Sequence, residues 1–223
     1  MSGQRFSFYK QVHKGIRAVA HAMVERAQRT DFCEPRQVEE LSRAVEEAFA
    51  IFEGHAAKET EFMTPVLRIC APGLAADSDG EHREQELRLR DLRRALQAAA
   101  RGGPSAPALG HAFVVGLSRF EGEMLVHMAD EEERLMPALW AAFDDDALVR
   151  IHQALLVSVA PAEKAQLLGW MLPALSAPER VELLNGFRAT APPPAFEALR
   201  GLAQRVLPAA DWDRLEADLA QAA

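Results

Sequence analysis

The sequence contains few cysteines and no long apolar run, and each shortage excludes a class of protein. Its two cysteines, Cys33 and Cys70, lack the spacing of zinc or redox motifs, so we expect reduced thiols. No apolar run is long enough to cross a bilayer, and the first residues, MSGQRFSFYK, lack the apolar core of a signal peptide. We therefore expect a cytoplasmic protein with no membrane partner.

Basic charge is also scarce relative to acidic charge. The 223 residues include 25 Lys and Arg against 33 Asp and Glu, which leaves a net charge of −8 and a sequence pI near 5.4. Sequence-independent binding to DNA or RNA relies on clustered Lys and Arg. We therefore expect no nucleic-acid partner.

Strand patterns are almost missing from the chain. β-Branched residues are sparse, alternation is absent, and Ala, Leu, Glu and Arg dominate, as helices prefer. Four long amphipathic segments are predicted, and the links between them carry Pro and Gly. These segments are 5–29, 36–69, 80–101 and 107–143. Short links between long helices imply antiparallel neighbours, so residues 1–143 are predicted to form an up-down-up-down four-helix bundle.

The remaining residues, 144–223, have a different pattern. Asp144, Asp145 and Asp146 form a good helix start, and prolines then divide the sequence into short helix-sized segments. We expect a small all-α C-terminal lobe that packs on the bundle, on a protein partner or on a second copy in a homodimer. We identify no candidate catalytic or metal-binding residues in this lobe and expect its apolar residues to serve packing or partner contacts.

A short motif with the pattern HxAxExExxxPxL occurs twice. One copy begins at His55 and ends at Leu67, and the other begins at His127 and ends at Leu139. His and Glu four positions apart project from one face of a helix, so each copy offers an imidazole and a carboxylate to one centre. A lone histidine precedes each copy. Together, the two pairs and the two preceding histidines form a ligand set for two metal ions, which comprises His13, His55, Glu59, His82, His127 and Glu131.

Helical periodicity places these residues on the apolar stripes of their helices. A Glu side chain on a buried stripe is unfavourable unless it is paired, protonated or bound to metal. His13 and His55 lie about 20 residues from the link that they share, and His82 and His127 lie about 20 residues from theirs. Antiparallel packing therefore predicts that all four imidazoles reach one level of the bundle.

Simpler interpretations exist for each residue taken singly. One HxxxE pair is usually a surface pair, and a lone histidine is usually a satisfied core residue. The repeat on core faces favours metal binding for the set as a whole. Glu86, one turn after His82, is predicted either as a further ligand or as a hydrogen-bond partner of a ligand, and a solvated Glu near a helix start is the alternative.

Imidazole and carboxylate donors favour iron, manganese or zinc. The absence of thiolates from the set disfavours an iron–sulfur cluster or copper(I).

The order His, HxxxE, His, HxxxE on four successive helices resembles the hemerythrin-like (HHE cation-binding) family over roughly residues 5–143. The resemblance implies a four-helix bundle with a non-haem di-iron centre that carries a solvent-derived oxo or hydroxo bridge. It further implies that four histidines bind the irons terminally, while Glu59 and Glu131 bridge them. The implied terminal ligands are His13, His55, His82 and His127.

One departure from that family bears on function. Oxygen-carrying hemerythrins have a further His where this chain has Glu86, and a carboxylate there favours the ferric state and weakens reversible oxygen storage. The resemblance therefore implies binding or sensing of dioxygen, peroxide or nitric oxide, linked to iron status or to oxidative and nitrosative stress. The alternative is an oxidase or peroxidase with catalase-like turnover, so whether the chain is an enzyme stays open. A metal-free helical interaction protein is the third hypothesis.

Overall fold

A computed structural model describes residues 5–221, and every regular element in that range is helical. The all-α prediction is therefore confirmed. None of the helices in this range is both long enough and apolar enough to cross a bilayer.

Residues 5–142 of the described range contain six α-helices and two short π-helical segments, π1 and π2. In chain order they are α1 (Val12–Arg29), α2 (Pro35–Lys58), π1 (Glu59–Met63), α3 (Thr64–Cys70), α4 (Pro72–Ala100), α5 (Ala106–Asp130), π2 (Glu131–Leu135) and α6 (Met136–Ala142). Five helices of similar length follow. They are α7 (Asp145–Ser158), α8 (Pro161–Ala174), α9 (Ala177–Thr190), α10 (Pro193–Val206) and α11 (Ala209–Gln221).

The second and fourth predicted helices each contain a π-helical interruption that the sequence analysis did not predict. The third predicted helix begins earlier than expected, at Pro72 instead of residue 80. Proline is tolerated in the first turn of a helix, where its missing N–H would have no intrahelical partner. Ala71, with a φ of −148° and a ψ of 66°, is the non-helical residue that separates α3 from α4.

The chain divides into two compact units. The described part of the first unit comprises residues 5–9 and 19–158, and that of the second comprises residues 10–18 and 159–221. The sequence-based division into domains 1–143 and 144–223 differs from this one and stays a prediction.

Within the first unit, α4 packs along α5, and the short link 101–105 between them makes the two helices antiparallel. Gly102 and Gly103 in that link have φ values of 73° and 85°, which favour glycine. Helices α2 and α3 also contact α4, and α3 contacts α6. These contacts bring the two motif copies, on α2–π1–α3 and α5–π2–α6, into one unit.

The last residue of each motif copy enters a shared apolar cluster. Leu67 and Leu139 are 1% and 0% exposed, and the cluster also contains Phe8, Tyr9, Met63, Ala75, Leu135, Met136 and Leu148. The Pro-x-Leu end of the repeat therefore has a packing role, because it anchors α3 and α6 in one core.

Residues at the start of the first unit are held against the link between α6 and α7. The Arg5 guanidinium donates to Asp145 Oδ1 at 2.9 Å and to the Phe143 carbonyl at 2.6 Å. Trp140 Nε1 donates to the Phe6 carbonyl at 2.7 Å. These bonds fix the segment that carries Tyr9.

The second unit has its own core, formed by α8 to α11 around Leu172, Leu184 and Leu199. Glu179 Oε2 accepts hydrogen bonds from the Ser176 backbone N–H at 2.8 Å and from Lys14 Nζ at 2.7 Å. The lysine and serine bonds outweigh the effect of burial and lower the pKa of Glu179 to about 2.

Replacement of Leu139 by alanine should strongly destabilise the first unit. A fully buried leucine in a packed cluster typically contributes about 2–5 kcal/mol, since its loss leaves a cavity. Leu87 on α4 is 54% exposed and provides the matched control. Leu87→Ala should change the free energy of unfolding by less than about 1 kcal/mol. Urea unfolding of both variants measures the difference, and equal losses would contradict this packing.

Candidate metal centre

Each motif copy adopts the same local structure. His55 and His127 lie in the last turn of an α-helix, and Glu59 and Glu131 are the first residues of π1 and π2. The Glu59 carbonyl accepts a hydrogen bond from the backbone N–H of Thr64, five residues later. The Glu131 carbonyl accepts the corresponding bond from residue 136. The sequence repeat is therefore also a structural repeat.

The proline of each copy explains why the π-helical segments occur here. Pro65 and Pro137 lie at the start of α3 and α6. Because proline has no backbone N–H and its ring clashes with the carbonyl four residues earlier, an uninterrupted α-helix is disfavoured. A π turn inserts one residue into the ladder, and the α-helix resumes at Thr64 or Met136 with the proline in its first turn.

Glu59 lies between two imidazoles from different helices. Its Oε1 is 3.2 Å from His55 Nε2 on α2, and its Oε2 is 3.3 Å from His82 Nε2 on α4. The Glu59 side chain is only 7% exposed. One buried carboxylate thus presents each of its oxygens to a different histidine.

Glu131 provides the second buried carboxylate. Its Oε1 is 3.4 Å from His127 Nε2, and its side chain is 2% exposed. The rings of His82 and His127 have centroids 5.1 Å apart. Ligand atoms of Glu59, His82, His127 and Glu131 all lie within 4.8 Å of one another, and those of His55, Glu59 and Glu131 do so as well.

The distances between these atoms suit metal coordination. Two donor atoms that are each about 2.1 Å from one ion lie about 3.0 Å apart at a right angle and about 3.4 Å apart at the tetrahedral angle. The observed separations of 3.2, 3.3 and 3.4 Å fall in this interval. The two clusters share Glu59 and Glu131, so both carboxylates are placed to serve two ions.

Thr60 and Glu81 contact the other nitrogens of two of these histidines. Thr60 Oγ1 is 3.1 Å from His82 Nδ1, and Glu81 Oε2 is 2.6 Å from His127 Nδ1. The sequence analysis missed both residues. Thr60 lies inside the first motif copy and Glu81 directly precedes His82, but neither falls on the spacing of four that identified the candidate ligands.

The predicted role of Glu86 is not supported by this geometry. Its side chain is 63% exposed, it accepts a hydrogen bond from Arg90 at 2.8 Å, and it belongs to neither cluster. An i, i+4 ion pair on the solvent face of α4 explains its position. The solvated alternative considered in the sequence analysis is therefore the better description.

His13 is treated separately because it lies in the stretch of α1 that belongs to the second unit. Its side chain is fully buried, as the sequence stripe predicted for a core position. Its assignment as the fourth imidazole stays a prediction from the sequence.

Tyr9 introduces a neutral phenol into the same core. Burial raises the pKa of its hydroxyl well above 10.0, and the negative charges of Glu131 and Glu59 raise it further. The phenol therefore keeps its proton at neutral pH and is a potential donor to an acceptor in the site.

The tyrosine can be titrated directly because the chain contains only one. In folded, metal-free protein the phenolate absorbance should be missing at the ordinary pKa of 10.0 and should appear there once urea unfolds the chain. Because the pKa of Tyr9 is higher in the folded chain than in the unfolded chain, the protonated phenol stabilises the folded state. This stabilisation is complete below pH 10.0 and is lost as the pH rises through the pKa of Tyr9 in the folded chain. A folded-state midpoint near 10.0 would contradict the buried position.

Comparison with known families agrees with the geometry. The Hemerythrin HHE cation binding domain matches residues 5–139, which is more than half of the chain. Neither the curated proteins nor the solved structures contain a match. The matched range includes both motif copies and the clustered carboxylates and imidazoles. On this evidence the chain belongs to the hemerythrin HHE cation-binding domain family.

Proposed function

We propose that this chain is a non-haem di-iron protein that binds or senses dioxygen, peroxide or nitric oxide. The observation that carries the proposal is the pair of buried carboxylates, Glu59 and Glu131, shared by two groups of potential ligands. A bridged pair of metal ions requires carboxylates that both ions can share. The family membership supports cation binding, and the imidazole and carboxylate donors of both groups suit iron, with manganese or zinc as alternatives.

In this proposal the carboxylates of Glu59 and Glu131 would serve both ions, and the histidines would be the terminal ligands. His82 and His127 would hold one ion, and His55 would contribute to the other. His13 completes the set as the sequence predicts, in an up-down-up-down bundle followed by a C-terminal lobe. In its ferrous state, an iron pair bound by these residues would supply electrons and an open coordination position to a small diatomic or peroxide ligand.

The residues around the carboxylates have their own roles. Glu59 and Glu131 provide the negative charge that cations neutralise, and apolar neighbours such as Met63 and Leu135, which are 2% and 5% exposed, limit water entry. Tyr9 remains protonated, so its hydroxyl keeps a hydrogen that it can donate within this core. We place the protein in the cytoplasm and connect it with iron status or with oxidative and nitrosative stress. A protein partner or a homodimer contact belongs to the C-terminal lobe.

Metal stoichiometry tests the bridging role of Glu59. After anaerobic iron loading, the wild-type chain should retain two iron ions, whereas Glu59→Ala should retain fewer than one because both ions lose a shared ligand. Glu61→Ala is the matched control, since Glu61 lies in the same motif copy but is 53% exposed and pairs with Lys58. Iron per chain is measured by mass spectrometry.

Failure of the wild-type chain to retain iron, manganese or zinc would contradict the proposal. It would support the metal-free interaction protein, whose melting temperature should not depend on metal. Metal-dependent stabilisation follows from the proposal, because an ion that binds only the folded chain at 100 times its Kd adds about 2.7 kcal/mol.

Peroxide consumption separates binding from turnover. We expect the iron-loaded protein to form one stoichiometric adduct without sustained consumption, and we expect His127→Ala to abolish the adduct. His111→Ala on the same helix is the matched control, because its side chain is exposed. Sustained consumption that depends on His127 would instead establish the oxidase or peroxidase alternative.

A further inference from the structure

We infer that Thr60 and Glu81 are positioning residues that fix the proton position and ring orientation of His82 and His127. The inference rests on the proposed function, because it concerns the ion that these two histidines hold. Neither Thr60 nor Glu81 is itself a ligand in the clusters of donor atoms.

His82 is contacted at both of its ring nitrogens by consecutive residues of π1. Glu59 Oε2 is 3.3 Å from Nε2, and Thr60 Oγ1 is 3.1 Å from Nδ1. Consecutive side chains of an α-helix diverge by about 100°, whereas the wider turn of a π-helix separates them by a smaller angle. The π turn therefore helps Glu59 and Thr60 to reach the same imidazole.

His127 is also contacted at both nitrogens, in this case from two helices. Glu131 Oε1 is 3.4 Å from Nε2, and Glu81 Oε2 on α4 is 2.6 Å from Nδ1. An ionised carboxylate can only accept, so the proton of this bond belongs to Nδ1. Nε2, on the side of Glu131, is then the nitrogen whose lone pair can bind a metal ion.

The two contacts differ in charge, and this predicts different effects. The hydroxyl of Thr60 is neutral, so it orients His82 without adding charge to the ring. Glu81 is negative and 40% exposed, and its hydrogen bond makes His127 a stronger donor. A stronger donor favours the more oxidised metal. Glu81 should therefore lower the midpoint potential of the iron pair, and Thr60 should not.

Glu81→Gln tests this role because it removes the charge and retains the size. It should weaken metal binding 10- to 100-fold in a chelator competition and shift the midpoint potential to more positive values. Glu81→Asp should restore part of both properties. The melting temperature of the metal-free Glu81→Gln protein should equal that of the wild type, which separates positioning from folding.

Glu121→Gln is the matched control for Glu81→Gln. Glu121 also pairs with a histidine, His21, but this pair lies outside both ligand clusters. Glu121→Gln should leave affinity and potential unchanged. For the second contact, Thr60→Val should weaken binding without moving the potential, and Thr60→Ser should restore affinity.

Two outcomes distinguish this inference from the proposed function. If the wild-type chain binds two ions and Glu81→Gln matches it in affinity and potential, the positioning role is wrong and the metal site stands. If the wild-type chain binds no metal, the proposed function is wrong, and this inference is wrong with it.

Discussion

The burial of two carboxylates is the constraint on which the rest of the structure depends. Glu59 and Glu131 are 7% and 2% exposed, and an isolated charge at such a position is strongly unfavourable. Imidazoles from α2, α4 and α5 surround these charges and thereby tie three helices to one point. Metal ions would supply the compensating positive charge. Burial raises the pKa of the Tyr9 phenol, and the charges of these two carboxylates raise it further, so they also affect the neighbouring core.

The two π turns convert a sequence repeat into this geometry. Each begins at a buried Glu, and each is followed by a proline and then by a leucine that enters the shared apolar cluster. The carboxylate and the leucine of each copy are therefore placed by one short segment. This arrangement couples the site to the core: α3 and α6 cannot move apart without disturbing Leu67 and Leu139, and these residues are continuous with the turns that carry the ligands.

Helical periodicity predicted the all-helical character of the chain and placed His55, Glu59, His82, His127 and Glu131 on the inner faces of their helices, because both depend on spacing within one helix. Their role as metal ligands stays a prediction. Glu86 shows the limit of that argument. It has the correct spacing from His82, yet it faces solvent, whereas Glu81 reaches His127 on a neighbouring helix. The rotation of α4 against α5 decides which carboxylate points inward. The sequence pattern of a single helix does not contain information about that rotation. The π turns were missed because the prediction applied the α-helical spacings of three and four throughout, and a π turn inserts one residue into that spacing.

The most direct test of the central claim is anomalous scattering from crystals of iron-loaded protein, with data collected on both sides of the iron absorption edge. Two peaks that disappear below the edge should lie between the carboxylates of Glu59 and Glu131, one beside His55 and the other beside His82 and His127. An absence of peaks at these carboxylates, in protein that retains iron elsewhere, would contradict a shared di-iron site.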